Sequence, residues 1–578
     1  MNRKHTAILA AGLALLVTGT AAHGQDKADF AACDGRLKPK KSDDGMRGEA
    51  ARQGMGAYAN LFGSLPRNPQ PKIIACTKAL ADPRLLPTQT LRRAHLLRER
   101  AAAHLASGST DSAMADLDTA EAAVADRRGE PFFERSMGVS LALLRAIALA
   151  QQGKTADAAR IAGDAATRRP YALEIQMASA LIRQVDRVGK VGSPSPFEGL
   201  VRIQPEAGQA ARAAEIGAGN FAAAAALGRL RPITWSDPAS VARSLFVDGD
   251  GLPAGLADEI GPALDLAYAK VASGDLEGAK ALLAEARAQI ARLVALRESR
   301  RTAAAPAAGM MQESVSETTG VEAAPAPAAL PAGPPSDDFA ERLAGARLRL
   351  VEARIALAEG RAEEAATLAT GKLPANAAAL EYFTALRAAA DKGQFKGAVP
   401  GTAALVEHLG KQRAVDLSAL ADTLLIAPET PRSVIDYEKS RPNILGALVG
   451  GALSLGTSLL GGIDRTAGFR STPNADGSVN VEFTGSTTSG PMVQEMTLLR
   501  AAELARAAGK PRFAVLARKD YTRWMVASQY GREISRTPSG YKSELTIRYL
   551  EGDAEPAGSL DAVAVIDALG PLYYEKAR

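Results

Sequence analysis

The apolar positions of this chain recur in one arrangement. Gly108, Gly153, Gly274 and Gly360 are each followed five residues later by an alanine: Ala113, Ala158, Ala279 and Ala365. Each is preceded seven residues earlier by another: Ala101, Ala146, Ala267 and Ala353. A third alanine follows the second by seven residues at Ala120, Ala165 and Ala286, whereas the fourth unit has Lys372 there. The spacing predicts paired helices. Glycine accepts the left-handed conformation that ends a helix, and the next helix opens on the polar side chains of Ser109-Thr110-Asp111, Thr155 or Asp275. The alanines fall where two antiparallel helices cross, because a methyl group permits close approach. Leu117 and Leu283, four residues after Ala113 and Ala279, share that face.

Between Gly153 and Gly274 the pattern weakens. Residues 206–230 read as helix, with Gly219/Ala224 at the same turn spacing, and 231–253 as an irregular connection. The Ala- and Pro-rich stretch 301–336 cannot bury a core and reads as a linker; a Pro-rich ligand for a partner groove is the alternative. A second helical block is expected over 337–440. The uncharged segment 443–463 places Gly446, Gly450, Ser454, Ser458 and Gly462 on one helical ridge. From about residue 474 the period changes. "VNVEF" alternates as a strand, 491–508 is a helix stopped by Gly509, 512–518 and 543–550 are β-rich, and 562–566 is a fourth apolar run. Together they suggest one helix packed on an antiparallel sheet.

The order Ala146, Gly153, Ala158, Ala165 and Pro170 resembles the tetratricopeptide repeat (TPR), a helix–turn–helix unit of about 34 residues. Residues 91–124 match nearly as well, and 73–83 look like the second helix of a truncated unit. The glycines stand 45, 121 and 86 residues apart, so the repeats are degenerate or interrupted, and an alanine-rich bundle is the alternative. The expected fold is mainly α: a degenerate TPR-like helical-hairpin solenoid over 25–300, continued by the second block, then a small α+β domain over 474–578.

The resemblance implies an inner face. It would be lined by His95, Arg98, Ala102 and Leu105 in the first unit, and by Ser140, Leu143, Ile147 and Ala150 in the second. The third supplies Gly261, Leu264, Tyr268 and Val271, and the fourth Arg347, Leu350, Arg354 and Leu357. In TPR domains that grip a peptide carboxylate, a basic residue is followed by Asn four later. Here Arg98 is followed by Ala102, so that clamp is not reproduced. An apolar groove with basic ends could receive an amphipathic or extended partner segment, contacted by His95, Arg98, Tyr268, Arg347 and Arg354. Alternatively, the chain fills these faces itself, for instance with its C-terminal helices.

Residues 1–24 read as a secretory signal: Arg3 and Lys4, an apolar run from Ala7 to Val17, then small residues before the cleavage point. A buried N-terminal helix is the alternative. Export would take the chain to a periplasm-type compartment. Removing 1–24 takes two positive charges from the net +5 and leaves +3, too little to indicate a nucleic-acid binder. An oxidising compartment would allow Cys33 and Cys76 to pair, clipping the N-terminal segment to the first helices; two separate thiols are the alternative. The ridge in 443–463 resembles glycine-zipper segments of bacterial envelope proteins. It leaves three readings open: a buried helix, a membrane-associated or oligomer-forming segment, and a flexible linker.

The sequence carries no zinc-type histidine pair, P-loop, Rossmann fingerprint or nucleophile elbow, so neither metal nor cofactor is expected. The stretch 498–516 loosely resembles C-terminal domains of bacterial envelope proteins, which implies no activity. The functional expectation is a non-enzymatic scaffold or adaptor for a protein or peptide partner in the cell envelope. One alternative is a membrane-associated or self-associating protein acting through 443–463. Another is an enzyme in the C-terminal domain using Glu503, Arg518 and Asp520.

Overall fold

The computed structural model describes residues 29–41, 43–46, 68–186, 195–227, 260–314, 340–370, 373–424, 426, 428–429, 468–485, 489–529, 532–551 and 558–574. The predicted signal 1–24 and the ridge of Gly446, Gly450, Ser454, Ser458 and Gly462 lie outside them. Those residues are mainly helical, with one small antiparallel sheet towards the C-terminus.

In chain order the first helices are α1 (Gln70–Ala81), α2 (Thr90–Ala106), α3 (Thr110–Ala123), α4 (Val139–Gln151), α5 (Thr155–Arg168), α6 (Leu173–Val185) and the short α7 (Glu198–Ile203). Then come α8 (Gly208–Gly217), α9 (Phe221–Ala226), α10 (Ile260–Ala272), α11 (Leu276–Ser314), α12 (Ala346–Ala358), α13 (Ala362–Leu368) and α14 (Ala377–Asp391). α15 (Ala403–Thr423) precedes β1 (Gly468–Pro473), β2 (Val479–Gly485), α16 (Gly490–Ala507), β3 (Arg512–Gln529), β4 (Arg532–Leu550), β5 (Ser559–Asp561) and α17 (Ala562–Tyr573).

The chain forms two compact units that interleave in sequence. Among the described residues, the first comprises those within 1–186, 196–207 and 412–578, and the second those within 187–195 and 208–411. Reading the sequence as consecutive domains does not reveal this, because composition and periodicity report local order and not which distant segments share a core.

The alanine pattern explains the packing within each unit. All eleven crossing alanines, from Ala101 to Ala365, are fully buried. α2 packs on α3, α4 on α5 and α5 on α6 in the first unit; α10 packs on α11 and α12 on α13 in the second. The turn glycines Gly108, Gly153, Gly274 and Gly360 all have positive φ, between 74° and 97°. Each closes its helix with the same pair of bonds. At the first turn, Ser109 N–H donates to His104 O at 2.8 Å and Gly108 N–H to Leu105 O at 3.0 Å. Of the predicted helix starts, Asp275 caps by accepting from Gly278 N–H at 2.9 Å, whereas Ser109 makes no side-chain cap bond.

α4 and α12 share a feature the reading missed. Each is entered through a π-helical turn, Glu134–Gly138 and Glu341–Gly345. Both turns carry the sequence Glu-Arg-x-x-Gly, eight residues ahead of Ala146 or Ala353 at the glycine. π turns are rare and concentrate at functional positions.

α11 runs through Ser314, well into the expected linker. The stretch 302–309 is mostly alanine, the strongest helix former, and this outweighs Pro306; residues 315–336 lie outside the described set. The sheet has strand order β1-β2-β4-β3-β5, all antiparallel. α16 packs on it, and α17 packs on α16. The apolar run 562–566 opens α17, because Asp561 caps it by accepting from Ala564 N–H at 2.9 Å. The one helix expected on the sheet is α16, and α17 is a further helix laid on α16.

Candidate functional site

Two residues of the predicted inner face, Arg98 on α2 and Ser140 on α4, converge on a stretch that leaves helical structure after Thr423. Arg98 Nη1 donates to the carbonyl of Ile426 at 2.5 Å, and Ser140 Oγ donates to the carbonyl of Leu424 at 2.5 Å. Ile426 N–H folds back onto the same Leu424 carbonyl at 2.9 Å. Ser136, in the π turn, accepts from Glu429 N–H at 3.0 Å. Leu424 and Ile426 are buried, in one core with Leu143, Ile147 and Leu105 of the predicted inner face. In the first unit, then, the chain itself covers this face. The strap described by Leu424, Ile426, Pro428 and Glu429 lies on it, rather than the C-terminal helices.

The strap ends in a buried charge cluster. Glu429 is paired with Arg169 Nη2 at 2.9 Å and with Arg135 Nε at 3.1 Å, the latter without hydrogen-bond alignment. Both guanidiniums also hold Glu495 of α16. Arg169 Nε donates to its Oε1 at 2.9 Å, Arg135 Nη2 bonds its Oε2, and Tyr573 O–H of α17 donates to Oε2 at 2.7 Å. The Arg135 guanidinium lies 5.5 Å from the Tyr573 ring centroid, a cation–π contact.

Two arginines and two glutamates balance, which is how four charges are tolerated in a site where Glu495 is 1% exposed. Burial alone would raise the Glu495 carboxyl. The fields of Arg135 and Arg169, with bonds from Arg169 and Tyr573, reverse this and hold it at about 2. Glu174, on α6, behaves oppositely. Burial pushes it up to about 7; Arg169 opposes the rise, while Glu429, Glu495 and Asp520 add to it.

His95 and Arg98 belong to a second buried group. Cys33 and Cys76 are joined, which ties the residue after Cys33, Asp34, beside α2. Arg92 Nη2 bonds Asp34 Oδ1 at 2.9 Å, and His95 Nε2 lies 3.4 Å from Asp34 Oδ2. Arg98 Nη2 lies 2.9 Å from His95 Nδ1 and 3.3 Å from Glu99 Oε1. Burial, then the charge of Arg98, pushes His95 far below its ordinary value, so the ring is neutral. The Arg98 contact assigns Nδ1 as acceptor and leaves the ring proton on Nε2, towards Asp34. Burial pushes Asp34 up to about 6, Arg92 pulling against it.

In the second unit Tyr268 and Arg354 meet on Glu381 of α14. Tyr268 O–H lies 2.5 Å from Glu381 Oε2 and 2.7 Å from the Ala378 carbonyl, and Arg354 grips both carboxylate oxygens at 3.1 Å. Tyr268 also packs edge-on against Phe221, with centroids 5.4 Å apart. Arg347 is half-exposed and stands 3.5 Å from Asp265. A Cβ at Gly261 would lie 2.2 Å from Arg347 Nη1, so the missing side chain makes room for the guanidinium. Four of the five predicted contact residues are thus turned inward, and Arg347 alone keeps substantial exposure.

The other predicted chemistry divides. Arg518 and Asp520 pair at 3.0 Å, and Gln494 donates to Asp520 at 2.9 Å. Glu503 instead bonds Arg500 and Tyr574 O–H at 3.1 and 2.9 Å. Among the described residues no group of His, Cys, Asp or Glu could hold a metal ion, and no helix is long and apolar enough to cross a membrane.

Arg135, Ser136, Arg169 and Glu429 were not anticipated as site residues. The Glu-Arg-x-x-Gly sequence shared by the two π turns was the available signal for the first two; Glu429 carries no local signal at all. No family model, curated protein or solved structure matches the chain.

Proposed function

We propose that this protein is an exported, TPR-like, non-enzymatic scaffold that binds a protein or peptide partner in the cell envelope. The observation that carries the reading is the chemistry of the inner face. At the positions where the repeat would present ligand-binding side chains, Arg98 and Ser140 donate to main-chain carbonyls of a non-helical segment. Side chains that bond main-chain carbonyls bind a peptide through its backbone. The repeat reading is supported by the buried alanines, the identical helix stops and the matching π turns ahead of α4 and α12. The Cys33–Cys76 bond supports an oxidising compartment.

The test is crosslinking in a Gram-negative host expressing the tagged precursor, followed by fractionation. The reading expects a soluble periplasmic protein with one reproducible crosslinked partner, captured less by Arg347→Glu. A protein that is cleaved, exported and crosslinked to nothing overturns it. Retention in membranes that is lost on deleting 443–463 would move the function to that segment.

A further inference from the structure

We propose that the inner face of the first unit is an exchangeable peptide site which the chain's own strap occupies intramolecularly. The ligand it reads is a non-helical protein segment with apolar residues at two positions two apart and a carboxylate three residues later, the pattern of Leu424, Ile426 and Glu429. This deepens the scaffold reading and rests on it for its biological sense.

Three observations carry the inference. First, recognition is independent of the covalent link. The strap is held by Arg98 and Ser140 on two carbonyls, by Ser136 on one N–H, and by Arg135 and Arg169 on one carboxylate. A separate segment of the same chemistry offers the same groups. Second, the described part of the strap has no regular main-chain ladder. Its own amide bond, Ile426 N–H to Leu424 O, is internal and travels with it. Among the described residues, releasing the strap breaks no strand pairing; it costs the burial of Leu424 and Ile426 and the side-chain bonds just named.

Third, the charge count sets the specificity. The site holds two arginines, one glutamate from α16 and one from the strap. Without the strap, Glu495 is the one ion-paired carboxylate left to Arg135 and Arg169, with Glu174, pushed up to about 7, in the field of Arg169, and the emptied groove is left with excess positive charge at the end where Glu429 sits. An incoming segment with a carboxylate there restores the pairing that Arg135 and Arg169 make with Glu429, whereas a neutral isostere leaves the two guanidiniums with one ion-paired carboxylate fewer. Tethering gives the strap an effective concentration in the millimolar range, so a competitor from outside succeeds only against a weakened strap or when its own affinity is high.

The experiment uses the full-length, disulfide-intact protein and a fluorescein-labelled synthetic peptide of residues 421–431, read by anisotropy. Glu429→Gln should bind the peptide at least tenfold more tightly than the unchanged protein does. A peptide carrying Gln in place of Glu429 should lose at least tenfold on the same variant. Equal binding by the two proteins, or by the two peptides, overturns the proposal. If Glu429→Gln fails to fold, hydrogen exchange on the unchanged protein decides. Amides of Ile426 and Glu429 exchanging at least a hundredfold faster than those of α4 support the proposal, and equally slow exchange overturns it. Both readouts use purified protein and no cellular partner. An exchangeable groove in a protein that crosslinks to nothing would therefore sink the scaffold reading alone, and a fixed strap in a protein that captures a partner would sink the groove alone.

Discussion

Arg98 and Ile426 stand 328 residues apart in the chain and meet at 2.5 Å, guanidinium to carbonyl. The same guanidinium contacts His95 and Glu99, so one fully buried side chain joins the strap to the group around Asp34. Cutting it back removes charge-assisted bonds and leaves a carbonyl and a carboxylate short of a donor. Arg98→Ala is expected to cost about 3–5 kcal/mol, the range for breaking one side of a buried ion pair, and Arg98→Glu to prevent the first unit from folding. Urea denaturation followed by circular dichroism measures both. An Arg98→Glu protein of unchanged midpoint would show that the arginine is free in solution. Arg347→Glu, at a half-exposed position, should shift the midpoint by less than about 1 kcal/mol.

Glu495 makes the protein sensitive to acid. Its carboxyl sits at about 2 in the fold and 4.5 in the unfolded chain, so its contribution is complete above about 4.5 and is lost as pH falls towards 2. Replacing it with Gln should lower stability at pH 7, because Arg135 and Arg169 lose half their compensation, and should flatten the pH dependence below 4.5. Thermal melts of both proteins at half-unit pH steps from 3 to 7 test this. Parallel curves would refute the assignment.

Glu174 acts in the other direction. The folded state holds its proton up to about 7, whereas the unfolded chain releases it near 4.5. Stability from this group is therefore greatest below 4.5 and declines as pH rises towards 7. Glu174→Gln, which carries no charge to desolvate, should remove that decline and melt higher than the unchanged protein at pH 7.5. A lower melt there would mean that the carboxylate is stabilised by contacts the field of Glu429, Glu495 and Asp520 does not overcome.

The Cys33–Cys76 bond closes a 43-residue separation. Chain entropy gives about 4 kcal/mol for a loop of this size, a model-dependent figure. Cys76→Ser should lower the urea midpoint accordingly. It should also free the segment around Asp34, so that Arg36→Ala, which removes a bond to the Met46 carbonyl, costs less in Cys76→Ser than in the oxidised protein. Additive losses would refute that coupling.

The local grammar of the fold was readable in the sequence. Alanine spacing, turn glycines and the switch from helical to alternating period all act within about ten residues, and they located the crossings, the stops and parts of β2, β3 and β4, but neither β1 nor β5. What escaped was set by distance or by competition. Nothing near Glu429 marks it as the partner of Arg135 and Arg169, since that pairing is decided by where the strap comes to rest. Residues 562–566 carry a strand-like run, yet the cap at Asp561 makes them the start of α17. The basic inner-face position Arg354 was recognised, but its neutralisation by Glu381 could be seen only once the fold had brought the two together.

The first unit is split in sequence, and this bears on how the molecule is made. Arg135 and Arg169 are synthesised early, and Glu429 and Glu495 hundreds of residues later. Until the C-terminal third emerges, two arginines destined for a dry interior have no carboxylates, and the apolar face around Leu143 and Ile147 lacks Leu424 and Ile426. A growing chain cannot finish its first unit by N-terminal folding alone. The intervening residues form one long loop whose closure must precede the last contacts, a slow, high-contact-order step. Prompt folding of the inserted second unit would shorten that loop, making its speed a determinant of how long the unfinished face stays open to wrong partners.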